Sequence, residues 1–163
     1  MNIKVFIRNA DVKDAQKIFE WRNDPATRNA SMSSDLITWD EHEQWYYSAL
    51  KNKDLLITIC DILDDKLRVA IAMVKFELNP TDKSSVISIN MDPKVRGKSL
   101  GKSCLNEAID YMHSSNKNYK KIIATIKQDN IASQKAFEKA GFKRSDLHSQ
   151  AATLQYFYEL NNG

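Results

Sequence analysis

Three strand-type segments follow one another between residues 55 and 91 with no helix between them. This run constrains the fold more than any other feature of the chain. "LLITICDIL" (55–63) and "VAIAMVKFE" (69–77) flank a turn at Asp64 and Asp65, and "SVISINM" (85–91) follows the breaker "NPTDKS". Strands so closely connected imply a central sheet that is mostly antiparallel. The flanks have a different period. "IKVFIRN" (3–9) alternates as a strand, and "DVKDAQKIFEWRND" reads as a helix capped by Asp11, with Val12, Ala15, Ile18, Phe19 and Arg22 on one side. The polar stretch 24–37, with Pro25, predicts an irregular loop. Thr38 and Glu41 form a capping-box pattern that opens a second helix to about Leu50.

Beyond residue 91 helix and strand alternate. Leu100, Cys104, Leu105, Ala108, Ile109 and Met112 share one helical face over 100–115. "KIIATIK" (121–127) is a strand, 130–140 is a helix closed by Gly141, and "TLQYFYEL" (153–160) is a last strand. The order predicts an α/β fold, a mixed sheet with helices on both faces, as one domain over residues 1–163.

Composition narrows the function. A net charge of +3 without an aromatic-rich basic stripe gives no argument for nucleic acid. No apolar run is long enough to span a membrane, and "MNIKVFIRNA" is too short in its apolar part for a signal peptide, so a cytoplasmic location is expected. Two isolated cysteines, Cys60 and Cys104, suggest neither a disulfide framework nor a metal site.

The charge is concentrated locally. Lys94, Arg96, Lys98 and Lys102 stand in "DPKVRGKSLGKS" (92–103) with no acid after Asp92. "GKS" occurs twice there, but a triphosphate loop needs a glycine five residues earlier, and those positions hold Asp92 and Arg96. The placement remains informative, because a strand runs through this loop into a helix start. Free amides, the helix dipole and the cations favour a phosphate-bearing ligand, and Gly97 and Gly101 permit close approach. The alternative is an ordinary helix start with solvated lysines.

"VRGKSLG" after one strand, and "NIASQKAFEKAGF" (130–142) after the next, resemble the GNAT superfamily of acetyl-coenzyme A-dependent N-acetyltransferases. The resemblance implies that Arg96, Gly97, Lys98, Ser99, Leu100 and Gly101, with Lys102 and Ser103 beside them, hold the coenzyme A pyrophosphate. Ser99 replaces the usual first glycine, and a more ordinary backbone angle is expected there. The strand Ile89-Asn90-Met91 would lie beside the pantetheine arm, with a backbone N–H at Met91 as the oxyanion donor. Asn130, Ser133 and Phe137 occupy positions implied to approach the cofactor, while Phe142 reads as core. Two departures matter: Phe137 stands where many members carry a proton-donating tyrosine, and Val86 stands where many carry a basic glutamate. His42 and Glu77 are the candidates for a substitute base, against the alternatives of a surface histidine and a solvated glutamate.

The start of the chain resembles one subgroup, the transferases that acetylate nucleotide-linked amino sugars in flagellin glycosylation, of the pseudaminic acid type. The resemblance rests on W-R-N-D-P (21–25), Arg28 and Glu41-His42. It implies an acceptor site containing Trp21, Arg22, Asn23, His42 and Lys83, with Trp45 as a second candidate for stacking. The expected acceptor is a UDP-4-amino-4,6-dideoxy sugar, and the expected assembly is a monomer or homodimer. Two alternatives stay open. One is an acetyltransferase for protein N-termini, with Asp35, Asp40, Glu41 and Glu43 receiving a basic peptide; the other is a non-catalytic acetyl-coenzyme A-binding module.

Overall fold

A computed structural model describes residues 2–146 and 152–161. Seven strands form one sheet in the order β1-β2-β3-β4-β5-β7-β6. They are β1 (Phe6–Asn9), β2 (Leu55–Asp64), β3 (Leu67–Asn79), β4 (Ser84–Met91), β5 (Lys121–Lys127), β6 (Lys143–Ser145) and β7 (Thr153–Glu159). The helices are α1 (Ala15–Asn23), α2 (Pro25–Ala30), α3 (Trp39–Lys51), α4 (Gly101–Ser115) and α5 (Ile131–Lys139). The central meander is antiparallel, and β4 with β5 is the one parallel pair among the described strands. β2 and β3 join through Asp65 (φ 44°) and Lys66 (φ 70°), the two left-handed residues of a tight hairpin turn.

Side-chain alternation divides the molecule into two cores. On β3, Ala72, Val74 and Phe76 face α4 and join Ile87, Leu105, Ile109 and Ile122 in the larger core. Met73, on the opposite face, packs with Ile57 and Ile59 of β2 under Ile18, Trp21 and Tyr46 of α1 and α3. A bulge opposite Cys60 and Asp61 leaves Ile71 of β3 unpaired, so Ile71 and Ala72 both enter the larger core, while alternation along β2 sends Cys60 to that core and Asp61 to an ion cluster on the other face. There Arg8 meets Asp14 in two parallel bonds, each 2.8 Å, and Asp61 at 2.9 Å. The cluster fixes the entry to α1 against the sheet.

Three local expectations are corrected. The stretch 24–37 is not wholly irregular, because Pro25–Ala30 is helical. Asp24 accepts from the Thr27 amide as its cap, and Pro25 opens the helix with a pre-set φ and no donor to waste. Strand β1 starts at Phe6 rather than residue 3, and Ile3 is exposed. β6, a three-residue edge strand, was not expected at all. The end of α5 follows the sequence closely. Gly141 (φ 104°) ends it, Phe142 N–H donates to Phe137 O and Gly141 N–H to Glu138 O, each at 3.0 Å, and the two phenylalanine rings meet edge-on at 5.0 Å.

Candidate active site

Two concavities meet at β4. The first is a cleft between β4 and β5. The two strands pair only at Ser84–Lys121, Ser85–Ile122 and Val86–Ile123, and then diverge. Asp92 N–H donates to Ile71 O at 2.8 Å, just past the β3–β4 ladder. Antiparallel alternation therefore turns the amides of Asn90 and Ser88 towards β3, and those of Ile89 and Met91 towards the cleft. Ile89 and Met91 are consequently two backbone donors with no strand beside them.

The loop after β4 closes one end of this cleft. Val95 and Leu100 drop into the core, and residues 96–99 between them stay exposed. Leu100 thus contributes backbone only. Gly97 has φ 74°, and a Cβ there would meet nothing within 4 Å. Ser99 corrects the sequence expectation, because it takes a left-handed φ of 58° as the usual glycine would. α4 then begins at Gly101 with no side-chain cap, whereas α2, α3 and α5 are capped by Asp24, Thr38 and Asn130. The first-turn amides of Gly101, Lys102 and Ser103 are left open to an external acceptor. Gly101 also packs tightly: a Cβ would stand 3.2 Å from Ala136 Cβ.

Other residues expected at the cofactor have local duties. Asn130 Oδ1 accepts from Ser133 N–H at 3.2 Å, so both begin α5. Phe137 is core, 3% exposed, and packs on Phe142. Arg96 turns away from its loop: Nη1 donates to Asp24 Oδ2 at 2.7 Å and Nη2 donates to Thr27 Oγ1.

The second concavity is a cavity of about 400 Å³ on the α1–α3 side of β4. Its floor is Met73 and Lys75 of β3 with Ser88, Ile89 and Asn90 of β4. Arg22, Thr27, Ser31, His42 and Trp45 stand around it. Arg22 is brought in as expected from the end of α1. Its Nη2 donates to Ser33 O at 3.3 Å, while Nη1 is buried with no partner. His42 lines the cavity although it is 2% exposed, and its Nε2 lies 2.8 Å from Ala15 O. A carbonyl only accepts, so Nε2 carries the proton and Nδ1 keeps its lone pair. Burial lowers the His42 pKa, only partly offset by the Ala15 carbonyl, so the ring is neutral near pH 7.

Several candidates lie elsewhere. Trp21 is 4% exposed within the smaller core, a packing residue rather than a stacking platform; Trp45 is the tryptophan in the cavity wall. Asn23 acts through its amide, which donates to Ile37 O at 2.9 Å and accepts from Ile37 N–H at 3.0 Å, and so shapes the loop at the cavity mouth. Arg28 holds the same loop through Ser34 O. Lys83 sits in the β3–β4 turn, 5.8 Å over the Tyr119 ring, outside the cavity lining. Glu77 is paired with Lys75 at 2.8 Å on an exposed strand end, also outside the lining. Lys75 was missed: it lies opposite Ser88 and 5.8 Å from the Trp45 ring, and only the strand register brings it to the site. Of the four acids considered for a basic peptide, Glu41 alone reaches the lining, and its carboxylate accepts from Thr38 N–H at 2.8 Å and Thr38 Oγ1–H at 3.0 Å.

A divergent parallel strand pair with an uncapped helix start beyond it, and a second cavity across the same strand, give two adjacent concavities that could take two ligands. Residues 4–143 match the acetyltransferase (GNAT) domain family, and the chain belongs to it. It is therefore a domain of the acetyltransferase (GNAT) family. A curated relative, an uncharacterized protein of Methanocaldococcus jannaschii, is 25% identical over 159 residues, 97% of this chain and 31% of the relative. The chain thus spans about a third of that relative's length. Among solved structures, a domain from Methanocaldococcus jannaschii superposes with a TM-score of 0.82 at 22% identity, covering 98% of this chain and 100% of that one. The spermidine N-acetyltransferase of Vibrio cholerae, in complex with CoA and spermine, also gives 0.82, at 17% identity over 96% of this chain and 95% of that one. At these identities both show the shared fold. Among the described residues, no helix is long and apolar enough to cross a membrane.

Proposed function

We propose that this domain transfers the acetyl group of acetyl-coenzyme A to the amino group of a nucleotide-linked amino sugar of the UDP-4-amino-4,6-dideoxy type, in the cytoplasm. The observation that carries the acceptor class is Arg22, a cation of the cavity lining with no ion pair among the described residues, whereas Lys75 is paired with Glu77 and the one acid of the lining, Glu41, accepts from Thr38. An unpaired guanidinium in that wall favours an acceptor bearing phosphate. Arg22 offers a buried Nη1–H with no partner, and a planar guanidinium suits a phosphate oxygen. Trp45 provides a flat apolar wall for a sugar or base.

The residues around the cleft fit the cofactor. The uncapped start of α4, the open space over Gly97, and Lys98 and Lys102 suit its pyrophosphate. When bound, acetyl-coenzyme A supplies the thioester carbonyl that the acceptor amine attacks. The Ile89 and Met91 amides would hold the pantetheine arm and the carbonyl oxygen. Ser88 and Asn90 present the amine from the other side of that strand. His42, neutral with an unprotonated Nδ1, takes the amine proton directly or through water. No group at Phe137 donates to the leaving thiolate, and a thiol titrating near pH 8.5, by analogy with cysteine, leaves without strong assistance.

Thiol release from acetyl-coenzyme A tests this against three acceptors: a UDP-4-amino-4,6-dideoxy sugar, spermidine and a ribosomal-protein N-terminal peptide. Turnover with the nucleotide sugar alone is expected, with Arg22→Met raising the KM for the sugar about tenfold or more and leaving that for the cofactor unchanged. Turnover with spermidine or the peptide alone would refute the acceptor assignment.

A further inference from the structure

Arg96 belongs to the candidate phosphate loop, yet both of its engaged nitrogens point at the first turn of α2, to Asp24 and Thr27. α2 has no fully buried residue, so apolar packing does not hold it in place. Its outside ties are polar. Arg96 grips its start, Thr27 Oγ1 donates to Asn90 Oδ1 at 3.5 Å in its middle, and Lys127 Nζ donates to Asn29 O at 2.9 Å near its end. Those three partners are the loop after β4, β4 itself and the last residue of β5. α2 therefore bridges the open end of the β4–β5 cleft, and it contributes Thr27, and Ser31 at its C-cap, to the acceptor cavity. One short polar helix touches both sites.

We propose that Asp24 is a positioning residue for cofactor entry: it holds Arg96 off the phosphate loop in the free protein, and a pyrophosphate in the cleft draws Arg96 away and releases α2. This inference rests on the cofactor reading of the cleft. Asp24 is suited to the role. Burial alone would raise its pKa, but hydrogen bonds from Arg96 and from the Thr27 and Ala26 amides outweigh that and keep it charged well below neutral pH. A dianionic pyrophosphate offers Arg96 more charge than one carboxylate does.

Coenzyme A is the probe, followed by calorimetry and by amide hydrogen exchange across residues 27–31. Asp24→Asn keeps an oxygen that caps α2 and removes the competing charge. It should bind coenzyme A about two- to fivefold more tightly than the unaltered protein, whereas Arg96→Gln should bind it more weakly. A strut with no phosphate role would move both variants in the same direction. In the unaltered protein coenzyme A should speed exchange in α2; in Asp24→Asn exchange should already be fast and should respond little. Equal or weaker binding by Asp24→Asn, or an α2 that ignores coenzyme A in the unaltered protein, would overturn the inference while leaving the cofactor site intact. No binding of coenzyme A to the unaltered protein would overturn the cleft reading and the inference with it.

Discussion

Replacing Arg8 by methionine should destabilise the protein strongly at neutral pH and much less in acid. Arg8 bonds Asp14 and Asp61, whose side chains are only 8% and 4% exposed. Methionine has similar bulk, so the loss is electrostatic: two carboxylates stay out of water without their cation. Breaking a fully buried pair costs about 3–5 kcal/mol, and because the Arg8 side chain is 33% exposed we reduce this to about 2–4 kcal/mol. For a chain of this length that corresponds to a fall in Tm of about 5–15 °C. The pH dependence has a definite sign. Burial raises the Asp14 pKa, but Arg8 and the Asp11 amide together outweigh it and leave the carboxyl lowered. The stabilisation is thus complete above the unfolded value, near pH 3.9, and is lost as pH falls through the lower folded value. In the variant Asp14 keeps its desolvation and the Asp11 amide but loses the Arg8 bonds, so its carboxyl moves up and protonation relieves part of the cost. Urea unfolding of both proteins at pH 7 and pH 3.5 measures the difference. A deficit below about 1 kcal/mol at pH 7, or one that does not shrink in acid, would refute the reasoning. The consequence reaches the site, because Asp14 precedes Ala15, whose carbonyl holds His42.

Three further outcomes are expected. Ser99→Gly should add about 0.5–1 kcal/mol, since it removes left-handed strain of about 1–2 kcal/mol and restores part of it as unfolded-chain entropy; a lower midpoint in urea would contradict this. Phe137→Tyr should cost about 1–3 kcal/mol by placing a hydroxyl in the core, and an unchanged Tm with a raised kcat would show instead that the ring tip meets the cleft. Burial depresses the His42 pKa, so the stability it confers is complete above about pH 6.5 and falls as pH drops through that value towards the folded one. His42→Gln should flatten that slope in unfolding experiments between pH 7.5 and 5.5, and an unaltered slope would count against a buried neutral ring.

The parts of the fold that were legible in the sequence are those fixed by neighbours in the chain. Thr38 with Glu41, and Gly141 with Phe142, each close a helix end through contacts a few residues apart, so a short window suffices. α2 escaped because a six-residue helix with no fully buried residue has no apolar period, and Pro25 marks a helix start as readily as a loop. β6 escaped for a similar reason, with three edge residues and none fully buried. In the site, the loop at 96–101 was legible as a position but not as a conformation: Ser99 takes the left-handed angle, and Arg96 points elsewhere. Trp21 and Trp45 both stand at helical spacings, and only tertiary packing decides that the first is core and the second is cavity wall. Lys75 lies in the middle of an apolar strand. Its place beside Ser88 comes from the β3–β4 register, which no local pattern encodes.

That register also explains how one strand can serve two sites. Along β4 the amides of Ile89 and Met91 point sideways into the cleft, because their neighbours Ser88 and Asn90 spend theirs on β3. The side chains alternate independently, up and down: Ser88 and Asn90 stand on the face towards α1 and α3, while Ile87 and Met91 face α4. Backbone and side chain therefore point along perpendicular directions from adjacent residues. On the proposed reading, a carbonyl at the Met91 amide and an amine near Asn90 would be presented by adjacent residues of one strand, the kind of fixed positioning that a near-attack arrangement requires. The divergence of β5 after Ile123 is what makes this possible, since a fully paired β5 would consume the amides of Ile89 and Met91 and fill the cleft. On the proposed reading, Phe137 and Val86 would leave the two usual proton-carrier positions empty but this geometry intact. Acid–base help is typically worth about 10²–10⁴-fold, whereas holding two reactants in register can contribute about 7–11 kcal/mol, so the arrangement of β4 outweighs the missing groups.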